Sequence, residues 1–180
     1  MYKNLKIAVV AVVTLSFTAF VWTDMANWNI QKDYEVRFEG RGAEGTFSGL
    51  EGEVVFDPSN LSASKMDVSV DASSISTGNA TKDKHARGES WFHTEKYPKI
   101  QFQSKRFSKQ GSTYEVVGDL NLRGVKKEIT IPFTFKEQAK GGLFEGNFVI
   151  NRTDYGIEGP FISFTVAKEL EVSLSVPVAQ

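Results

Sequence analysis

The sequence predicts an all-β chain in which antiparallel strands, each with one apolar face, enclose a single interior. Three observations carry that reading. From Trp28 onward apolar and polar residues alternate with a period of two, segment after segment. Short clusters of Gly, Asp, Asn, Ser and Pro separate the segments and signal turns. Past the N-terminus only one long stretch, Ser76–Phe102, departs from the alternation; it is polar, charged and holds both histidines.

The chain opens with Lys3 and Lys6 followed by an uncharged apolar run from Ile7 to Trp22. A basic head before such a run is the pattern of a secretory signal. A retained anchor, which would associate the domain with a membrane, is the other reading, although the run is slightly short of the roughly 20 residues of a spanning helix. Residues 1–26 are therefore set apart as signal peptide or N-terminal anchor, and residues 27–180 as one domain outside the cytoplasm.

Tyr34–Phe38, Gly52–Phe56 and Met66–Val70 alternate cleanly as strands. Between the first two, the glycine-rich stretch GRGAEGTFSGLEG marks bends or bulges where the chain turns a corner. Asp57-Pro58-Ser59-Asn60 is a turn. In the polar stretch, Thr77 or Asn79 caps a short helix running toward Arg87, Gly88 ends it, and Pro98 returns the chain to extended geometry. Strands resume at Ile100 and Phe102, then Tyr114–Leu122, Ile129–Phe135, Phe144–Ile150, Ile162–Val166 and Leu170–Val178. Turns fall at Gln110-Gly111-Ser112, Gly124 and Gly141-Gly142.

That makes about eight antiparallel strands. Periodicity alone fits a two-sheet sandwich as well as a barrel. Long strands and a load of 14 Phe favour the barrel, and about eight strands leave an interior that holds one small ligand. Pro132 and Pro177 sit in the outward phase within strands, where a missing N–H needs an edge or a bulge, so a seam or bulge is expected near them.

Composition removes several functions. A net charge of −1 offers no concentrated basic face, so nucleic acid is not a partner. The absence of cysteine rules out disulfides and thiolate metal sites. His85, Glu89 and His93 are spaced four and four; on one continuous helix they would share a face and hold a metal, which is the basis of an alternative reading as a metal-dependent enzyme. Gly88 and Ser90 argue that the helix breaks between them, so no metal and no other cofactor is expected. Arg152 and Asp154 in NRTDYG read as a turn held by side-chain-to-backbone hydrogen bonds. Sequons at Asn60, Asn79 and Asn151 matter only in a cell that glycosylates exported proteins.

The inward phase gathers Phe38, Val54, Phe56 and Val68 from the first strands, and Ile100, Phe102, Val116, Leu120 and Leu122 from the middle. Ile131, Phe133, Phe148, Ile150, Ile162, Phe164 and Leu174 complete it, and no charged residue shares the phase in the strands as read. This face is either an ordinary packed core or the lining of a tunnel for a long apolar ligand. The pattern leaves both open.

Several blocks in order carry a resemblance. They are WNI, GTFSGLEGEVVFDP, SISTG, KDKHAR, WFHTEKYPKIQF, GDLNLRGVKKEITIP and NRTDYGI, spread from Trp28 to about Val178. Together they resemble the YceI-like family of bacterial polyisoprenoid-binding, lipocalin-like proteins. The resemblance implies an eight-stranded antiparallel, lipocalin-like barrel with a short helical insertion near one mouth. It also implies an elongated apolar tunnel, a long-chain isoprenoid or fatty amphiphile as ligand, and no catalytic residues. Family members are usually periplasmic or secreted, and some form homodimers. On this reading the inward residues line the tunnel, and Lys84, His85, Arg87, Trp91 and Phe92 of the lid meet the head group. The chain departs from the family at Ala86, where Leu is common, and at Glu89, Ser90 and Trp91, where Asp-Phe or similar is usual. Three function classes follow: a non-enzymatic lipid carrier, the metal-dependent enzyme, and a ligand-free structural or stress-response module.

Overall fold

The structure is a computed structural model that describes residues 27–160 and 165–180. The proposed signal or anchor at residues 1–26 lies outside these, as do Ile162 and Phe164. Ten strand segments run β1 (Asn27–Ile30), β2 (Glu35–Gly40), β3 (Ala43–Phe47), β4 (Glu51–Val55), β5 (Lys65–Asp71), β6 (Lys99–Gln110), β7 (Thr113–Leu122), β8 (Val125–Gln138), β9 (Gly141–Asn151) and β10 (Glu169–Ala179). One helix, α1 (Ala80–Arg87), lies between β5 and β6.

The segments form one antiparallel sheet in the order β1-β4-β5-β6-β7-β8-β9-β10-β2-β3, and β10 also pairs with β1, which closes the ring. β10 pairs with β1 through Ile30 and Val178, and with β2 through Val36 and Leu174. β1 and β2 are thus two lengths of one wall position. β3 and β4 are likewise one interrupted position, β3 against β2 and β4 against β1. Ten segments therefore make eight wall positions, and the molecule is a closed eight-stranded antiparallel barrel rather than a sandwich.

Local chemistry explains where the elements depart from expectation. The β8–β9 turn is Ala139-Lys140, and Gly141-Gly142 begin β9. Those glycines serve close approach instead: a Cβ on Gly141 would stand 2.0 Å from the Val178 carbonyl oxygen, and one on Gly142 would stand 2.3 Å from the Phe135 ring. Of the strand expected at 162–166, the described part, from Thr165, is not strand; its Val166 carbonyl accepts from Arg152, and the next residue, Ala167, donates its N–H to the Arg41 carbonyl. β8 begins at Val125, because Arg123 and Gly124, both at positive φ (53° and 75°), form a two-residue turn that starts pairing at once. Lys127 consequently falls in the inward phase, a charged residue that a strand beginning at Ile129 had excluded.

Both prolines sit at interruptions of the ring. In a two-residue hairpin the pair flanking the turn exchanges both hydrogen bonds. Along β8 the even-numbered residues Gln138, Lys136 and Thr134 therefore bond toward β9, and Pro132 is next in that series. It has no N–H to give, and the β8–β9 ladder ends at Phe133 opposite Gly146. From there Val125–Pro132 pairs with β7 alone, and Asn147–Asn151 with β10 alone. Pro177 lies where β10 exchanges β2 for β1, and its carbonyl accepts the Gln31 N–H at 2.9 Å in that gap.

The interior is two different materials. At the end away from α1, Phe56 is wholly buried and meets five rings edge-on or tilted, those of Phe107, Tyr114, Phe133, Phe135 and Phe144, at 5.2–6.2 Å between centroids. Trp28 completes the plug, its Nε1–H donating to the Phe56 carbonyl at 2.9 Å. Each such aromatic pair adds about 0.5–1.5 kcal/mol beyond its buried area. Phe56 is accordingly core, not tunnel lining. Phe56→Ala is expected to cost about 3–5 kcal/mol in denaturant unfolding; a loss under about 1 kcal/mol would show that the plug does not anchor the barrel.

Candidate ligand-binding site

Below the plug the barrel is hollow. A cavity of about 210 Å³ runs between the plug and the α1 end, walled almost entirely by apolar side chains. It is lined by Phe38 of β2, Val54 of β4, Val68 of β5, and Ile100 and Phe102 of β6. Val116, Leu120 and Leu122 of β7, Ile131 and Phe133 of β8, Phe148 and Ile150 of β9, and Leu174 of β10 complete the ring of inward residues. Phe47 and Met66 also line it. Phe47 was hidden inside the glycine-rich stretch, although Ala43, Gly45 and Phe47 alternate with Glu44 and Thr46 as a strand should.

Two inward glycines shape this wall. A Cβ on Gly118 would lie 2.6 Å from the Phe102 ring, and one on Gly45 would lie 2.8 Å from the Phe38 ring. Each phenyl therefore lies along the wall, over a neighbouring strand's bare backbone, instead of standing into the lumen.

The α1 end is covered by the polar stretch. Asn79 caps α1, its side-chain oxygen accepting the Thr81 and Lys82 N–H groups at 3.0 Å. Asp83 reaches back to accept the Thr77 backbone N–H and hydroxyl, both at 2.7 Å. The last three carbonyls of α1 are taken: His85 by the Gly88 N–H, Ala86 by Phe92, Arg87 by Thr94. These bonds fold the chain back on the helix and pin Phe92 beside it. Phe92 then meets Phe47, and Phe47 meets Phe38, each at 5.5 Å, to make an aromatic partition at the foot of the cavity.

Beyond the partition lies an outer cavity of about 390 Å³, lined by Thr77, Lys82, His85, Trp91 and Arg152 among others. Phe38, Phe92 and Leu170 border both spaces. Of the expected head-group residues, His85, Trp91 and Phe92 stand here, whereas Lys84 and Arg87 line neither cavity. Arg87 donates through Nε to the Ser73 carbonyl at 2.7 Å and through Nη2 to the Ile75 carbonyl at 3.1 Å, which rivets α1 to the rim. Lys82 takes a place that was not foreseen.

Arg152 is a residue whose weight the sequence understates. It is 5% exposed and its guanidinium donates to the carbonyls of Ala167, Ile157, Glu158 and Val166. Desolvation pulls its pKa below the usual arginine value, while the charge of Glu158 pushes the other way. The same group sits 5.3 Å over the Trp91 ring. Arg152 thus ties residues 157–158 to 166–167, and NRTDYG is the turn that was expected, with Asn151 capping it through Thr153. The three sequon asparagines, Asn60, Asn79 and Asn151, all stand at the N-caps of helical turns.

The metal alternative has no shared helix. α1 ends at Arg87, Gly88 is extended (ψ 169°), and His93 sits at φ 48° with its ring against Tyr97. Among the described residues no group of three potential ligands converges.

The YceI-like domain family matches residues 13–178. The chain belongs to that family. It is 32% identical to a UPF0312 protein of Yersinia pestis over 92% of this chain and 95% of the other. Among solved structures, BcnA of Burkholderia cenocepacia superposes with a TM-score of 0.78 at 23% identity, covering 84% of this chain and all of that one. The YceI protein of Campylobacter jejuni gives 0.68 at 25% identity, covering 76% and 84%.

The lid of this YceI-like barrel is tied down by carboxylates. The Thr77 hydroxyl and then its N–H hold the Asp83 pKa below the ordinary value, and the Ser73 hydroxyl and N–H do the same for Asp71. A depressed folded-state pKa adds stability that is complete above the unfolded value of about 3.9 and is lost as pH falls through the folded value. Amide protection over residues 76–92 is therefore expected to be constant above about pH 4 and to fall below it, ahead of β7. Asp83→Asn should show the loosened lid at neutral pH. Uniform protection down to global unfolding would show that these carboxylates do not secure the lid.

Proposed function

We propose that this barrel is a non-enzymatic binding protein for one long-chain apolar lipid, with the tail in the inner cavity and the head group in the outer one. The observation that carries this reading is an apolar cavity held open inside an otherwise well-packed barrel. Unfilled apolar volume forfeits contacts in the free protein, and a hydrocarbon chain restores them at about 0.8 kcal/mol per CH₂ before ordering costs. Lys82 and His85 are the polar partners for a head group, and the Phe38–Phe47–Phe92 partition marks where head and tail divide. A structural neighbour described as a polyisoprenoid binding domain from Saccharophagus degradans, 14% identical with a TM-score of 0.68, gives the same fold and makes an isoprenoid-like tail a reasonable first choice. Binding of this kind suits a carrier or sequestering role outside the cytoplasm.

Solvent extraction of purified protein followed by mass spectrometry is expected to yield one stoichiometric lipid. Phe148 lines the cavity and is only partly buried. Phe148→Ala should cost well under the roughly 3–5 kcal/mol of a packed core phenylalanine and should weaken lipid retention. Phe148→Trp should fold normally and hold a shorter tail. A full core penalty with unchanged extracted lipid would remove the reading's support, and bound metal without lipid would favour the enzyme.

A further inference from the structure

We propose that the ligand passes into the inner cavity sideways, through the split between β8 and β9, and not along the barrel axis. The inference rests on the lipid-binding reading. Both axial ends of the cavity are obstructed. The Phe56 plug fills one, and in the free protein the Phe38–Phe47–Phe92 rings narrow the other against end-on threading, although a bound chain can lie across them. The wall is different along one length, where Pro132 ends the ladder and Val125–Pro132 and Asn147–Asn151 have no partner across the gap. Ile131 of one lip and Phe148 and Ile150 of the other line the cavity, so the split opens onto the proposed tail site.

Two further observations point the same way. Among the described residues the exposed large hydrophobics are Val149, 62% exposed, and Val125, 36% exposed. Val149 stands on the unpaired lip of β9, and Val125 begins the unpaired lip of β8, an apolar border such as a lipid tail needs on leaving water. The α1 end of the split is closed by the turn after β9, whose Tyr155 and Ile157 are buried in the core, and by contacts at the surface. Lys127 pairs with Asp154 at 3.4 Å, both about half exposed, and Arg123 donates to the carbonyls of Gly156 and Glu89. The exposed ion pair holds weakly, and no strand ladder crosses this length, so opening the split costs the Arg123 hydrogen bonds and the Tyr155 and Ile157 packing but no β pairing.

The chain has no cysteine, so introduced thiols react alone. Thr130 and Val149 are the positions that would face each other if the ladder continued from Phe133 and Gly146. Thr130→Cys with Val149→Cys, joined by a flexible bis-maleimide, is expected to slow uptake and release of cis-parinaric acid at least tenfold and to leave its capacity unchanged. Val149→Cys with Glu171→Cys, an intact β9–β10 pair, should leave the rates unchanged when joined in the same way. Pro132→Thr restores a donor and is expected to extend the ladder, seen as slowed amide exchange at Asn147–Asn151, and to slow the probe without any linker. Unchanged rates in the linked split, or equal slowing in the β9–β10 control, would overturn lateral passage while leaving lipid binding intact. Lost capacity instead of lost rate would place the probe in the split itself and also overturn it. No uptake by the unmodified protein would overturn the lipid-binding reading, and the route with it.

Discussion

A hollow apolar interior gives up the contacts its lining would otherwise make, so the empty half of this barrel has to be supported by the half that is full. Phe56 is the centre of that support. Its ring touches aromatic side chains from β6, β7, β8 and β9, and its carbonyl holds Trp28 of β1. One side chain thereby ties together wall positions on opposite sides of the ring. With the register fixed at that end, the alternation of each strand carries its apolar face down the wall, and the lumen below needs no packing of its own to keep its shape.

The opposite end is held by another kind of contact. Arg87, Arg123 and Arg152 all spend their guanidinium groups on backbone carbonyls. Planar donors in a fixed fork suit this task, because one side chain can satisfy carbonyls from two separate segments. The lid and residues 156–160 and 165–168 have little regular structure to satisfy their own backbone, and these arginines do it for them. Arg123 does so from a left-handed backbone position that a glycine or asparagine would take more easily. The hairpin turn thus carries a strained residue where an arginine's reach is needed.

Much of the wall was legible because a period of two reports directly on which face is buried. Leu170–Val178 was readable at every position, and Tyr114–Leu122 at all but Val117, which is buried in the outward phase. The two prolines were informative for a related reason, since a missing N–H has one consequence in a ladder and the register says where it falls. What alternation could not show was whether inward residues touch one another or a lumen. Phe56 and Phe148 have the same phase and the same chemistry, yet one is the hub of the plug and the other lines a void; only the level along the barrel axis distinguishes them. Lys82 went unnamed, and the reach of Arg152 beyond its own turn was invisible, because both depend on which segments meet at the mouth, and no local spacing encodes that.

The phenylalanines lying over Gly45 and Gly118 have a consequence for the shape of the lumen. Behind each missing methyl stands main chain, the Ser76 carbonyl oxygen 2.5 Å from a Cβ at Gly45 and the Gln103 carbonyl oxygen 2.4 Å from one at Gly118. A ring pressed from inside cannot retreat, because hydrogen-bonded backbone backs it. The bore is rigid at these two points, while Met66 and the leucines elsewhere can change rotamer. The lumen therefore has a fixed girth where Phe38 and Phe102 lie against the wall and an adjustable one where Met66 and the leucines line it.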